Sequence, residues 1–86
     1  MRDLIQFIAS NLVDQPEAVN VRVLRDDRHA AVLSLEVAPE DLGKVIGREG
    51  RVAKAMRSLM RAAAARTGQR RVSLEIDDRG RPRPRG

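Results

Sequence analysis

The spacing of apolar residues changes along this chain from a helical period to a strand period and back, and this change constrains the fold more than any other feature. The periodic segments are, in order, helical over 2–13, alternating over 19–24 and 31–37, helical over 39–46 and 51–67, and alternating over 72–76. The sequence therefore predicts the order α-β-β-α-α-β. Since each helix and strand has an apolar side to bury, we expect an α+β domain with three helices packed on one face of a three-stranded sheet.

The same spacing predicts which side chains face the core. Three apolar sets are expected to point inward: Leu4, Ile5, Ile8 and Leu12 of the first helix; Val19, Val21 and Val23 of the first strand; and Val52, Met56, Leu59, Met60 and Ala63 of the long helix. Phe7 falls off its stripe and is expected to be partly exposed. The polar residues 26–29 predict a hairpin turn between the first two strands, and Gly68 predicts the end of the long helix.

The length of 86 residues and the absence of cysteine predict one domain that is stabilised by its packed core alone. We place this domain at residues 1–77 and expect the basic tail, 78–86, to be disordered because it has no apolar residue to bury. No apolar run approaches the roughly 20 residues of a membrane span, and polar residues interrupt the start of the chain. We therefore expect a soluble, cytoplasmic protein with no membrane association, whose first residues belong to the folded domain.

The charge of the chain is strongly polarised. Residues 1–41 contain four basic and eight acidic side chains, a net charge of −4, whereas residues 42–86 contain thirteen and four, a net charge of +9. Such asymmetry favours a polyanionic partner for the second half of the chain. A solvated basic surface with no partner is the alternative for any single cluster.

The aromatic content restricts how a nucleic acid could be bound. Phe7 is the only aromatic residue. Domains that stack bases on aromatic rings need several exposed rings, so that mode of recognition is excluded.

The sequence offers no set of residues for catalysis. His29 is the only histidine, and its neighbours Asp26 and Asp27 are explained more simply by a polar hairpin turn than by a metal site. No nucleophile is paired with a base, and the glycines do not have the spacing of a dinucleotide or P-loop motif. We therefore expect no enzymatic activity, no cofactor, no metal and no small-molecule substrate.

Two glycines, Gly47 and Gly50, lie in the short connection between the last two helices. Glycines allow the chain to turn sharply and approach a ligand closely, and the next helix points its partially positive amino terminus at the same place. This context favours a phosphate contact. The spacing alone is weak, because a helix-turn-helix corner that needs glycine only to relieve strain has the same pattern.

The residues around this turn carry a resemblance to a known family. The string Gly-Lys-Val-Ile-Gly-Arg-Glu-Gly-Arg over 43–51 resembles the signature of KH domains, and the element order resembles their type II, prokaryotic form. Together with the segments 4–9 and 37–44, it resembles the KhpA family, the small stand-alone KH proteins of bacteria. The resemblance covers residues 1–77. It implies a type II KH fold and RNA binding without stacking on aromatic rings.

Carried over by position, the resemblance implies that Gly47, Arg48, Glu49 and Gly50 form a loop that clamps about four nucleotides of single-stranded RNA. The neighbouring residues implied for RNA binding are Lys44, Val45, Ile46, Arg51 and Lys54. Glu49 departs from the family pattern, in which a neutral or basic residue is common at this position. A carboxylate beside a phosphate repels it, so the expected affinity is modest.

Two further surfaces are expected to contribute beside the loop. Aliphatic contacts to bases are expected from the last strand and from Val45, Ile46, Val52 and Met56, several of which must also serve the core. On a helical wheel, the side chains of Lys54, Arg57 and Arg61 share one side of the long helix. This basic side would extend the positive surface away from the loop.

The resemblance also implies a wider role. Proteins of this family are described as pairing with themselves or with a larger RNA-binding protein, KhpB, and as affecting peptidoglycan homeostasis and cell length. The leading hypothesis is a non-catalytic RNA-binding protein that acts as an RNA chaperone or post-transcriptional regulator. The alternative is a protein-interaction adaptor with a degenerate KH fold, whose partner supplies the RNA contact, and Glu49 is the feature that favours it.

Overall fold

The predicted helices and strands all form in the computed structural model, which describes residues 1–69 and 71–77. The elements are, in chain order, α1 (Arg2–Leu12), β1 (Asn20–Asp26), β2 (Ala30–Glu36), α2 (Leu42–Ile46), α3 (Arg51–Thr67) and β3 (Arg71–Asp77). Short 3-10 turns precede β1, α2 and α3. The predicted tail, 78–86, lies outside the described residues. Within the described part of the chain, no helix is long and apolar enough to span a bilayer.

The three strands form a mixed sheet in the order β1-β2-β3. β1 and β2 are antiparallel, as the predicted hairpin requires, and β3 runs parallel to β2. Leu33 in the central strand pairs with Val23 on one side and with Leu74 on the other. The register shifts between Val23 and Arg25, so Leu24 lies in an irregularity of the edge strand.

The core lies between one face of the sheet and the three helices. It contains Ile5 and Ala9 of α1, Leu42 and Val45 of α2, Met56 and Met60 of α3, and Val21, Leu33, Leu35 and Leu74 of the sheet. The sheet residues in this set share one face of their strands, because paired residues point the same way. The prediction of an α+β domain with its helices on one face is therefore confirmed.

Three residues that were predicted to be buried in the core are instead exposed. Leu59 is 47% exposed and Val23 46% exposed, and Leu12 at the end of α1 is 39% exposed. In α3 the buried residues are Ala53, Met56, Met60 and Ala64, so the inward side is rotated toward the alanines. Small side chains let the helix approach its neighbours closely. The sequence prediction placed the larger apolar residues of the helical wheel inward and therefore overlooked the alanines. Phe7 is 69% exposed, as expected.

Side chains from the helices bind carbonyl groups of both edge strands. Arg2 Nε donates to the Val21 carbonyl at 3.1 Å and Gln6 Nε2 donates to the Val19 carbonyl at 3.2 Å, which attaches α1 to the chain along β1. On the opposite edge, Arg57 Nη2 of α3 donates to the Leu74 carbonyl of β3 at 3.1 Å. The helices are thus attached to the sheet by hydrogen bonds as well as by apolar packing.

Candidate nucleic-acid interface

The loop Gly47–Gly50 connects α2 directly to α3. The Gly47 N–H donates to the Gly43 carbonyl at 2.9 Å, and the Gly50 N–H donates to the Gly47 carbonyl at 3.1 Å. Three of its four residues have positive φ, namely Gly47 (78°), Glu49 (57°) and Gly50 (74°). The chain therefore makes a tight turn within four residues, and Arg51 is the first residue of α3.

Gly47 is required by both its conformation and its surroundings. Its φ of 78° and ψ of 170° lie in a region that is open essentially only to glycine. A Cβ atom at this position would lie 2.5 Å from Val52 Cγ2 and 2.8 Å from the Val52 backbone nitrogen. At Gly50, where φ is 74° and ψ is 16°, a Cβ would meet nothing within 4 Å. Gly47 is thus required by both conformation and packing, whereas Gly50 is required by conformation alone.

Glu49 occupies the tip of the loop in the left-handed helical conformation, which is uncommon for a residue other than glycine, asparagine or aspartate. Its Oε2 lies 3.6 Å from Arg51 Nη2, and both side chains are largely exposed. The one acidic side chain of the loop thus sits beside one of the cations that a phosphate would need.

The amino terminus of α3 has features that suit an anion. α3 is 17 residues long, begins after Gly50 with no side-chain cap, and has no acidic residue in its first turn. Amides in the first turn of a helix have no intrahelical acceptor, and the helix dipole adds a partial positive charge. An anion at the loop would therefore be favoured by both backbone and side chains.

The cations predicted for RNA binding differ in their surroundings. Lys44 Nζ is paired with Asp14 and also lies 3.4 Å from Asp41 Oδ1. Within residues 1–69 and 71–77, neither Arg48 nor Lys54 has a carboxylate at ion-pair distance. The structure therefore leaves these two side chains with unbalanced charge at the loop.

The basic side of α3 is narrower than the wheel suggests. Arg57 is half-buried because its guanidinium donates to the Leu74 carbonyl, while Lys54 and Arg61 are exposed. Arg57 therefore attaches α3 to the sheet.

The aliphatic residues beside the loop divide between core and surface. Val45 is completely buried and Met56 is 1% exposed, so both side chains serve the core. Ile46 and Val52 are half-buried and flank the loop on either side. Of these four side chains, Ile46 and Val52 are therefore accessible for an aliphatic contact with a base.

Sequence reasoning missed the role of two acidic residues behind the loop. Asp41 is buried, and its Oδ2 accepts a hydrogen bond of 3.0 Å from the Gln15 N–H. Burial raises the pKa of Asp41, but donation from the backbone amides of Asp14 and Gln15 and from Lys44 outweighs it and holds the pKa below its ordinary value. The hydrogen bond to Asp14 correspondingly raises the pKa of Lys44, against the effect of burial. The i,i+3 spacing of Asp41 and Lys44 was the only sequence signal.

The turn at residues 26–29 is explained by hydrogen bonds. Asp27 Oδ1 accepts from the backbone amides of His29 at 2.8 Å and Ala30 at 2.9 Å, and Arg25 Nε donates to its Oδ2 at 2.6 Å. These donors, Arg25 first, lower the pKa of Asp27 to about 2. No group of three or more side chains able to hold a metal ion occurs in the described residues. Both carboxylate oxygens of Asp27 are thus engaged within the turn.

Comparison with known proteins identifies clear relatives. The family model described as "KhpA/KhpB, KH domain" matches residues 2–76. The chain is 49% identical over 78 residues to "RNA-binding protein KhpA" of Halalkalibacterium halodurans, covering 91% of this chain and 100% of the relative. It is 45% identical over 76 residues to the protein of that name from Clostridium perfringens, covering 88% and 99%. No solved structure gives a significant match.

Proposed function

Because the chain belongs to the KhpA/KhpB family of KH domains, we propose that it is a non-catalytic protein that binds single-stranded RNA through the loop Gly47–Gly50. The observation that carries this proposal is the exposed turn that leads directly into the uncapped amino terminus of α3. The relatives named RNA-binding proteins support the choice of RNA as the ligand. The backbone of a single strand fits this turn, because its phosphates can come close to the glycine backbone and to the partially positive amino terminus of α3.

The charge at the loop sets the expected strength of binding. Arg48 and Lys54 are without carboxylate partners among the described residues, whereas Lys44 and Arg51 are each paired. Two phosphate contacts give a log–log dependence of the binding constant on salt concentration with a slope of about −1.4, and four contacts give about −2.8. An ion-paired cation adds little to this slope, because the carboxylate that a phosphate displaces regains its own counterion. We therefore expect a slope of about −1.4, the value for two phosphate contacts.

The proposal is tested by titrating a fluorescent single-stranded RNA with the purified protein at several salt concentrations. Duplex RNA of the same sequence is the control for strand selectivity. Two opposite charge changes locate the contact. Glu49→Lys should raise the affinity by up to about tenfold at low salt, and Arg48→Asp should lower it by a similar factor.

The alternative function, an adaptor whose partner supplies the RNA contact, has one observation in its favour. Glu49 presents a carboxylate at the loop tip and lies against Arg51. An adaptor would show no change in RNA affinity on either substitution at the loop. An RNA affinity that is unchanged by both Glu49→Lys and Arg48→Asp would therefore favour the adaptor and reject the proposal that the loop binds RNA.

The wider role that we propose follows from family membership. It is that of a cytoplasmic RNA chaperone or post-transcriptional regulator linked to peptidoglycan homeostasis and cell length, acting as a homodimer or with KhpB. The family description joins the names KhpA and KhpB, which supports the second pairing. Exposed Phe7 and Leu59 are candidates for the contact with either partner. Light scattering of the wild type, Phe7→Ser and Leu59→Ser, each alone and mixed with KhpB, would test the pairing.

A further inference from the structure

We infer that Lys44 is a positioning residue for the loop Gly47–Gly50 and not one of its phosphate contacts, an inference that rests on the proposed function. Its ammonium lies between two carboxylates from different segments: Asp14, which follows α1, and Asp41, which immediately precedes α2. A cation in this position connects two parts of the fold.

Asp41 is the centre of the connection. It is 1% exposed and is the only charged residue that is buried in residues 1–69 and 71–77. Its Oδ2 accepts from the Gln15 N–H at 3.0 Å and its Oδ1 accepts from Lys44 Nζ at 3.4 Å. Gln15 Nε2 also donates to Glu40 Oε2 at 2.9 Å. These bonds hold the segment 14–15 against the start of α2.

The connection acts on the loop because α2 is short. α2 has only five residues, and isolated helices of fewer than about 12 residues are marginal in water. Gly47, the first residue of the loop, is attached to the same turn by its hydrogen bond to the Gly43 carbonyl. What fixes α2 in place therefore also fixes the start of the loop.

The local charge argues against a phosphate at Lys44. Two carboxylates surround one ammonium, so the cluster has a net charge of −1. The side chain of Asp14 is 79% exposed, which places a negative charge at the surface where a phosphate would have to approach. Lys54 is exposed and has no carboxylate at ion-pair distance within the described residues, so it provides the matched control.

The test compares Lys44→Met with Lys54→Met, each of which removes one positive charge. Lys54→Met should lower the affinity for a fluorescent single-stranded RNA about fivefold at low salt, reduce the magnitude of the salt slope by about 0.7 and leave the melting temperature unchanged. Lys44→Met should lower the melting temperature and leave the slope unchanged. Lys44→Gln, which keeps a donor for the carboxylates, is the second variant if Lys44→Met does not fold.

Amide NMR spectra without RNA give a readout of loop position. Gly47 and Gly50 should shift in the Lys44 variants and stay unchanged in Lys54→Met. A loss of about 0.7 from the slope in the folded Lys44 variant would overturn the inference, as would unshifted glycine amides. If the wild type does not bind single-stranded RNA, the proposed function fails, and the spectra alone then decide whether Lys44 positions the loop.

Discussion

Gly47 packs against Val52 so closely that a single added methyl group would lie 2.5 Å from the Val52 Cγ2 atom. The contact joins the residue that leaves α2 to the second residue of α3. The loop is therefore held by packing between its first residue and the helix that it introduces, as well as by its hydrogen bonds.

This contact predicts different costs at the two glycines. Gly50→Ala should lower the free energy of unfolding by about 1 to 2 kcal/mol, because only its left-handed conformation is disfavoured. Gly47→Ala should lower it by about 3 kcal/mol or more, because a glycine-only conformation is combined with a clash against Val52. Urea unfolding of both variants measures the difference. Equal costs would show that the packing against Val52 relaxes easily.

The pairing of Glu49 with Arg51 predicts that the two side chains act together on RNA affinity. Glu49→Gln should raise the affinity about threefold at low salt, because it frees Arg51 and removes a repulsive charge. In an Arg51→Met background the same change should give a smaller gain. A double-mutant cycle of RNA titrations measures the coupling. An identical gain in both backgrounds would mean that Glu49 acts on the phosphate directly.

The position of Leu59 predicts that it contributes little to stability, although the sequence favoured it for the core. Leu59→Ala should change the free energy of unfolding of the monomer by less than about 1 kcal/mol, since the side chain is 47% exposed. Met60→Ala, one residue further along, should cost about 2 to 4 kcal/mol because Met60 is fully buried. Thermal or urea unfolding of this neighbouring pair checks the rotation of α3. A large cost at Leu59 would contradict it.

The hydrogen bonds of Asp27 predict a pH dependence. Its pKa falls from 3.8 to about 2 on folding. The folded state therefore binds fewer protons there, so the stabilisation is complete above about pH 4 and is lost as the pH falls toward 2. Asp27→Asn keeps an oxygen for the amides of His29 and Ala30 but loses the charge opposite Arg25. The stability difference between wild type and this variant should shrink between pH 4 and 2, as followed by urea unfolding, and a constant difference would contradict the assignment.

The elements of the fold could be predicted because each has a regular apolar period and a clear end. The 17 residues of α3 lie between Gly50 and Gly68 as predicted, and Gly68 has the left-handed conformation expected of a helix stop. The inward side of α3 could not be predicted, because Ala53 and Ala64 are buried by a close approach that depends on the sheet. The irregularity at Leu24 likewise arises from strand pairing.

The candidate site was predictable in its backbone but less so in its charges. The two glycines and their positive φ follow from a sharp turn between helices. The pairing of Lys44 with Asp14 does not follow from the sequence, since Asp14 is 30 residues away and the two side chains meet only in the completed fold. Local patterns report spacing along the chain, whereas ion pairs of this kind depend on the completed fold.

The attachment of helix side chains to the edge strands also decides how the sheet can meet another chain. Carbonyl groups of Val19 and Val21 on one side and of Leu74 on the other are already occupied by Arg2, Gln6 and Arg57. A strand from another molecule would have to displace these donors before it could extend the sheet, and the irregularity at Leu24 disturbs the register that it would need. The occupied carbonyls and the irregularity therefore disfavour edge-to-edge pairing of this sheet with a second one.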